Sequence, residues 1–227
     1  VFDRGDSVTE VLWFLHELEA EAVLAGGQVH LLLGNHEIMA MTGDDRYLND
    51  KYDHFTQYTQ ISYYQLFDRE TELGRWLRSR NSVLTVNGYL FTHAGISPQF
   101  AIHAFSWQEI NDRIRGYLNS DYRISKNSPE DVILGPFGPF WYRGYGNYDK
   151  KYIELTQDFI DLFLESNGLK RMIIGHNVQP EIMTAYEGKV ISADVELEGS
   201  GHSAQGLRIA GDTIYRCFFD GTRERLE

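Results

Sequence analysis

The sequence predicts an α/β protein whose buried strands end in polar, histidine-bearing loops. Short apolar runs of strand length stop at or just before a glycine: Leu31-Leu32-Leu33 before Gly34, Tyr89–Thr92 before His93-Ala94-Gly95, and Arg171–Ile174 before Gly175. Between them lie stretches with helical spacing of apolar residues, the alternation expected of a layered α/β fold. Each run also delivers a histidine within three residues of its end: His36, His93 and His176. Strand ends are where such folds usually mount chemistry, because the sheet is rigid and the loop beyond it can approach a ligand closely.

In chain order, Ser7 and Glu10 have the spacing of a capping box. Val8, Val11, Leu12, Leu15 and Leu18 then recur at helical spacing, and Gly26-Gly27 closes the helix. Gln28–Leu33 is expected as a strand that carries Asn35, His36 and Glu37 at its C-terminal end. A helix returning to a strand is half of a βαβ unit, complete if residues before Val1 form the first strand. Residues 38 to about 80 read as an excursion from the sheet, with helices near Phe55–Phe67 and Glu70–Arg78.

Ser82–Val86 and Tyr89–Thr92, separated by Asn87-Gly88, carry the signal of a type I′ hairpin. Ser106 and Glu109 repeat the capping-box spacing and open a helix through Ile110, Ile114 and Leu118. Residues 119–131 form a polar loop, and Gly135–Gly146 is a proline- and glycine-fixed aromatic loop holding Arg143. Its aromatics fit either the core or a substrate wall. A helix over Ile153–Glu165 closes at Asn167-Gly168, before the strand Arg171–Ile174. From Lys189 the tail reads as strands and hairpins, with Gly211-Asp212 at one turn. With no internal repeat, low-complexity segment or linker, residues 1–227 are expected to form a single domain.

Composition bounds the partners. With 33 acidic and 21 basic residues the formal net charge is −12, which disfavours nucleic acid and anionic membrane surfaces. No stretch approaches the roughly 20 apolar residues of a membrane span, so a soluble protein is expected, with cytoplasm and periplasm both open. One cysteine, Cys217, excludes an intramolecular disulfide. Val1-Phe2-Asp3-Arg4-Gly5 opens mid-element without an initiator methionine, so the chain is expected to start inside its domain, N-terminally incomplete.

Imidazole nitrogen and amide oxygen suit borderline divalent cations such as manganese, zinc or iron. A lone histidine is more often structural, but three at equivalent strand ends beside glycines point to a metal. Asp3-Arg4-Gly5, Gly34-Asn35-His36-Glu37, Thr92-His93-Ala94-Gly95 and Gly175-His176 occur in the order and rough spacing of the calcineurin-like metallophosphoesterases. Gly34–Met39 followed by Gly43-Asp44, together with Trp141–Tyr145, is most similar to the bacterial Shewanella-like phosphatases within that superfamily.

The resemblance implies a four-layer αββα sandwich of two packed mixed sheets flanked by helices, missing its first strand or strands. It also implies a two-metal phosphomonoester hydrolase, a protein Ser/Thr or Tyr phosphatase, in which a metal-bridging hydroxide attacks phosphorus in line. Asn35, His93 and His176 would bind one metal, and Asn35, Arg4 and Arg143 would contact the phosphate. His36 would protonate the leaving group, oriented by Asp3. The family's other ligands, an aspartate and a histidine of its first motif and a bridging aspartate, would precede Val1. At most one weakly bound metal is therefore expected in these residues. His202, in Gly199–His202, is a further histidine in a glycine-rich loop. The expected substrates are phosphoproteins or small phosphoesters. Dinucleoside polyphosphate hydrolases share the motifs, and a chain that naturally began at Val1 would instead be an inactive phosphate-binding or interaction protein.

Overall fold

The computed structural model describes residues 1–2, 4–121, 123–146, 151–153, 155–196 and 204–226; Asp3 and His202 lie outside the described residues. The chain divides into two compact units, one formed by Val1–Ser82 with Ser106–Glu130 and the other by Val83–Phe105 with Asp131–Glu227. Among the described residues no helix is long and apolar enough to cross a membrane.

The first unit is helical: α1 (Val8–Leu24), α2 (Asn35–Thr42), α3 (Asp50–Thr59), a 3-10 helix (Tyr63–Phe67), α4 (Glu72–Arg78) and α6 (Trp107–Leu118). Several expected boundaries moved for local reasons. Ser7 does not cap α1, because its backbone is not extended and its hydroxyl donates to Asp6 Oδ1 instead. The helix expected over Phe55–Phe67 breaks at Gln60, whose φ of 58° ends α3 before Ser62 starts the 3-10 turn. Gln28–Leu33 does not form the expected strand. Among the described residues its pairing is a single parallel bridge, Leu32 to Asn81, with Leu33 N–H on Asn81 O. One bridge cannot sustain a ladder.

Asn35, His36 and Glu37 are correspondingly not a loop but the first turn of α2. Buried Glu37 makes the helix start there: its Oε2 accepts from Gly34 N–H at 2.8 Å, as the third residue of a capping box does, and its Oε1 accepts from the backbone nitrogens of Val1 and Phe2 at 2.7 and 3.4 Å. The far end of α2 meets buried Arg78. Its Nη2 donates to Phe67 O at 3.0 Å and Met41 O at 3.4 Å, and its Nη1 donates to Leu118 O. These carbonyls close the 3-10 helix, α2 and α6. One guanidinium thus faces the negative ends of three helices.

The second unit holds both sheets. β1 (Val83–Val86), β2 (Tyr89–Thr92), β3 (Arg171–Ile174), β4 (Met183–Ala185) and β5 (Val190–Ser192) form a mixed sheet in the order β1-β2-β3-β5-β4. β6 (Gln205–Ala210), β7 (Thr213–Phe218) and β8 (Arg223–Arg225) form an antiparallel one. The predicted hairpin is present, with φ of 53° at Asn87 and 84° at Gly88, as a type I′ turn requires. Tyr89, Ile173, Ile182 and Ile191 meet Ile214, Leu207 and Ile209 of the antiparallel sheet in one apolar cluster. Each fully buried side chain of this kind contributes about 1.5–3 kcal/mol. Leu90, Met172, Ile174 and Val190 are buried on the opposite face, which explains why these strands read as continuous apolar runs.

Three short or flanking helices complete the fold: α5 (Pro98–Ala101), α7 (Pro129–Ile133) and α8 (Gln157–Ser166). α8 starts four residues later than expected, because Thr156 Oγ1 accepts from Phe159 N–H and so caps it. The result is a mixed α/β fold of two sheets with flanking helices.

Arg78→Met keeps the volume but strands three buried carbonyls that no substitution can remove. It is expected to cost about 2–4 kcal/mol, read from urea unfolding; a change within about 0.5 kcal/mol, the scatter of neutral surface changes, would contradict the role given to Arg78.

Candidate active site

Parallel pairing sets the geometry of the second unit. Thr92 of β2 lies opposite Ile174 of β3, and Ile174 lies opposite Ser192 of β5. The three strands therefore exit at one end. His93 O accepts from Gly175 N–H at 2.8 Å, and Ile174 O from Ala193 N–H at 2.8 Å. One residue on, the φ of 66° at His176 turns the chain, and His93 Nε2 comes to 3.0 Å from His176 Nδ1. At most one proton fits between two imidazole nitrogens at that distance, so at least one presents a lone pair to the other.

Arg143 reaches the same place from the aromatic loop, its Nη1 donating to His176 O at 3.3 Å and Asn177 Oδ1 at 3.2 Å. That loop is held in several ways. Ala94 N–H donates to Pro139 O at 2.8 Å, Asn177 Nδ2 to Tyr145 O at 2.7 Å, and Tyr145 Oη to Ile96 O at 2.7 Å. Burial keeps the Tyr145 phenol well above its ordinary pKa, and the neighbouring Tyr142 and Tyr186 add to the effect, so it stays a donor. Trp141 stands edge-on to His176, ring centroids 6.1 Å apart. Tyr142 and Tyr145 are buried in the core.

In the first unit, Asn35 is buried at the first position of α2 and His36 follows it, half-buried. The His36 ring lies 4.8 Å from that of Tyr47, and the Arg4 guanidinium lies over the same Tyr47 ring at 5.1 Å. Arg4 has a φ of 41° and its carbonyl accepts from Asn49 Nδ2 at 2.8 Å. Asp44 is gripped by the fork of Arg46, at 2.7–3.1 Å. That grip holds its carboxyl below the usual range; partial burial opposes it, and the charge of nearby His36 adds slightly.

The sequence-predicted residues thus fall into two groups, His93, His176 and Arg143 in one unit and Asn35, His36 and Arg4 in the other. Asp3, the expected partner of His36, lies outside the described residues. Sequence reasoning missed Tyr47, Asn49, Asn177 and Asp194. Asp194 follows β5 as the histidines follow β2 and β3, and its Cβ lies 3.5 Å from where a side chain on Gly175 would begin. The strand-end rule that found the histidines could have found it.

The paired imidazoles fit a divalent cation, since 3.0 Å is a separation that one ion with metal–nitrogen bonds of about 2.0–2.1 Å spans. Among the described residues no group of three or more His, Cys, Asp or Glu is gathered to hold one.

With this arrangement in view, the chain belongs to the calcineurin-like phosphoesterase family, whose model matches residues 1–180. A cold-active protein-tyrosine phosphatase of a psychrophilic Shewanella species is 34% identical, with a TM-score of 0.87 over 100% of this chain and 67% of that one. Shewanella-like protein phosphatase 1 of Plasmodium berghei is 28% identical over 79% of this chain, and Shewanella-like protein phosphatase 2 of Arabidopsis thaliana 25% identical over 91%. The chain spans 50% and 62% of those two relatives' own lengths.

Gly95, with a φ of 84°, leaves no room for a Cβ, which would fall 2.3 Å from the Tyr145 ring. Gly95→Ala is expected to cost more than about 2 kcal/mol, the αL penalty plus overpacking. Gly116→Ala, in open space on α6, should instead stabilise by roughly 0.5–1 kcal/mol. Calorimetric melting of both variants checks the contrast.

Proposed function

We propose that this chain carries the catalytic machinery of a divalent-metal-dependent phosphomonoester hydrolase acting on phosphorylated proteins. The observation that carries the reading is the pair His93 and His176, 3.0 Å apart at the ends of adjacent parallel strands, with Arg143 tied to the His176 carbonyl. Family membership and the names of the relatives support the phosphatase reading and the protein substrate.

In the second unit, His93 and His176 hold the cation and Arg143 takes phosphate oxygens with its planar fork. Among the described residues both Arg143 hydrogen bonds use Nη1, so Nε and Nη2 are the edge assigned to phosphate. In the first unit, Asn35 supplies an amide oxygen to metal or phosphate, Arg4 contacts phosphate, and His36 donates a proton to the leaving oxygen as the phosphorus–oxygen bond breaks. Water supplies the new oxygen of the inorganic phosphate released. A bound divalent cation polarises the phosphoryl group and makes water a stronger nucleophile.

Expressed from its complete reading frame and supplied with manganese, zinc or iron, the protein should hydrolyse p-nitrophenyl phosphate and phosphopeptides, and chelation should abolish turnover. His36→Asn should lower kcat by about 10²–10⁴-fold, the usual worth of a general acid, with metal content intact; His176→Ala should lose metal. Equal metal loss from both variants would contradict the division of roles. Cleavage of diadenosine tetraphosphate in preference to phosphopeptides would replace the protein substrate with a dinucleotide.

A further inference from the structure

Arg4 and His36 are 32 positions apart in the sequence, yet one side chain touches both. The Tyr47 ring lies 4.8 Å from the imidazole and 5.1 Å from the guanidinium, centroid to centroid and carbon to centroid respectively. Tyr47 is half-buried and sits on a short segment that is itself fixed at both sides. Before it, Arg46 closes its fork on Asp44, and Asp44 N–H donates to Met39 O at 2.9 Å, tying the segment to the end of α2. After it, Asn49 caps α3 by accepting from Lys51 N–H at 2.9 Å and turns its Nδ2 to Arg4 O at 2.8 Å. Arg4 is therefore held twice by one segment, at its carbonyl by an amide and at its guanidinium by an aromatic face. That matters because a φ of 41° is not a conformation arginine adopts unaided.

We propose that Tyr47 is a positioning residue that sets Arg4 and His36 relative to one another, with Asn49 as the second point of the clamp on Arg4. The inference rests on the roles given above to those two residues. A cation over an aromatic face loses orientational freedom without losing its outward donors, and an imidazole against the same ring loses freedom to rotate. The segment thereby prepays part of the ordering that a phosphate ester would otherwise have to impose.

Tyr47→Leu, Tyr47→Phe and Asn49→Asp are compared with the parent protein and with Arg4→Ala. Two substrates are used, p-nitrophenyl phosphate and glycerol 2-phosphate, whose alkoxide cannot leave without a proton. Calorimetric titration with tungstate reports the oxyanion site without turnover. Tyr47→Leu should weaken tungstate binding about two- to fivefold, the worth of a partly exposed cation–π contact. It should also lower kcat for glycerol 2-phosphate about tenfold more than for p-nitrophenyl phosphate, as misplacement of a proton donor does.

Tyr47→Phe, which keeps the ring, should restore both. Asn49→Asp keeps the cap on α3, removes the donor to Arg4 and sets a carboxylate against that carbonyl, so it should weaken tungstate while leaving the ratio between substrates unchanged. In an Arg4→Ala background Tyr47→Leu should have no further effect on tungstate. Additive losses, or an active parent whose tungstate affinity and substrate ratio survive Tyr47→Leu, would reduce Tyr47 to packing. A parent that neither turns over phosphomonoesters nor binds tungstate overturns the functional reading itself, and this inference with it.

Discussion

Helix α2 is eight residues long and opens with Asn35 and His36, so its position fixes two of the first unit's three candidate residues. A helix that short has little stability of its own. Here it is held by a buried charge at each end, Glu37 at the start and Arg78 at the finish, each of the sign that the helix dipole favours. Arg78 donates to backbone carbonyls, so its charge is offset by peptide dipoles that cannot move without unwinding a helix. Glu37 accepts from the backbone N–H groups of Gly34 and Phe2 and from the α-ammonium of Val1. Desolvation pushes the Arg78 guanidinium below its ordinary pKa, while Asp68 opposes the shift and Arg69 adds to it. The guanidinium still titrates far outside the physiological range.

The second unit reaches the same end by register. The parallel pairing of Thr92 with Ile174 brings His93 beside His176, and the apolar residues on both faces of the sheet make that register costly to shift. A slip by one residue would exchange the two faces and set each buried side chain against packing shaped for another. Arg143 depends on a different constraint, the fit of the aromatic loop against Gly95, where the Tyr145 ring occupies the space of a missing Cβ.

This difference explains what the sequence disclosed. The strand ends, the Asn-Gly hairpin and α6 were legible because short-range pattern decides them: alternation or continuity of apolar residues, a turn dipeptide, a serine cap. Gln28–Leu33 misled because three leucines fix burial but not a partner, and a strand is made by its neighbours. Glu37 was placed at a strand end and not as the cap that turns an expected loop into a helix. Asn49 signals locally only the cap on α3, and the contacts of Tyr47 and Asn49 with Arg4 span more than 40 residues, a separation at which ring or amide contacts leave no periodicity to read.

Two candidate residues share a feature that sequence could not show. Arg4 and His176 both have positive φ, at 41° and 66°, a conformation that costs a non-glycine residue about 1–2 kcal/mol. In each case the carbonyl of the strained residue is held by a side chain: Asn49 Nδ2 at 2.8 Å for Arg4 and Arg143 Nη1 at 3.3 Å for His176. Strain persists only where surrounding structure over-determines it, and it gathers where a side chain must point somewhere a relaxed backbone would not send it. The hydrogen bond to each carbonyl stabilises the peptide orientation that the strained φ requires. Each unit thus applies the same solution, a loop distant in sequence locking the backbone of a candidate residue, and the side chains that do the locking are as necessary to that geometry as the residues that would meet the phosphate.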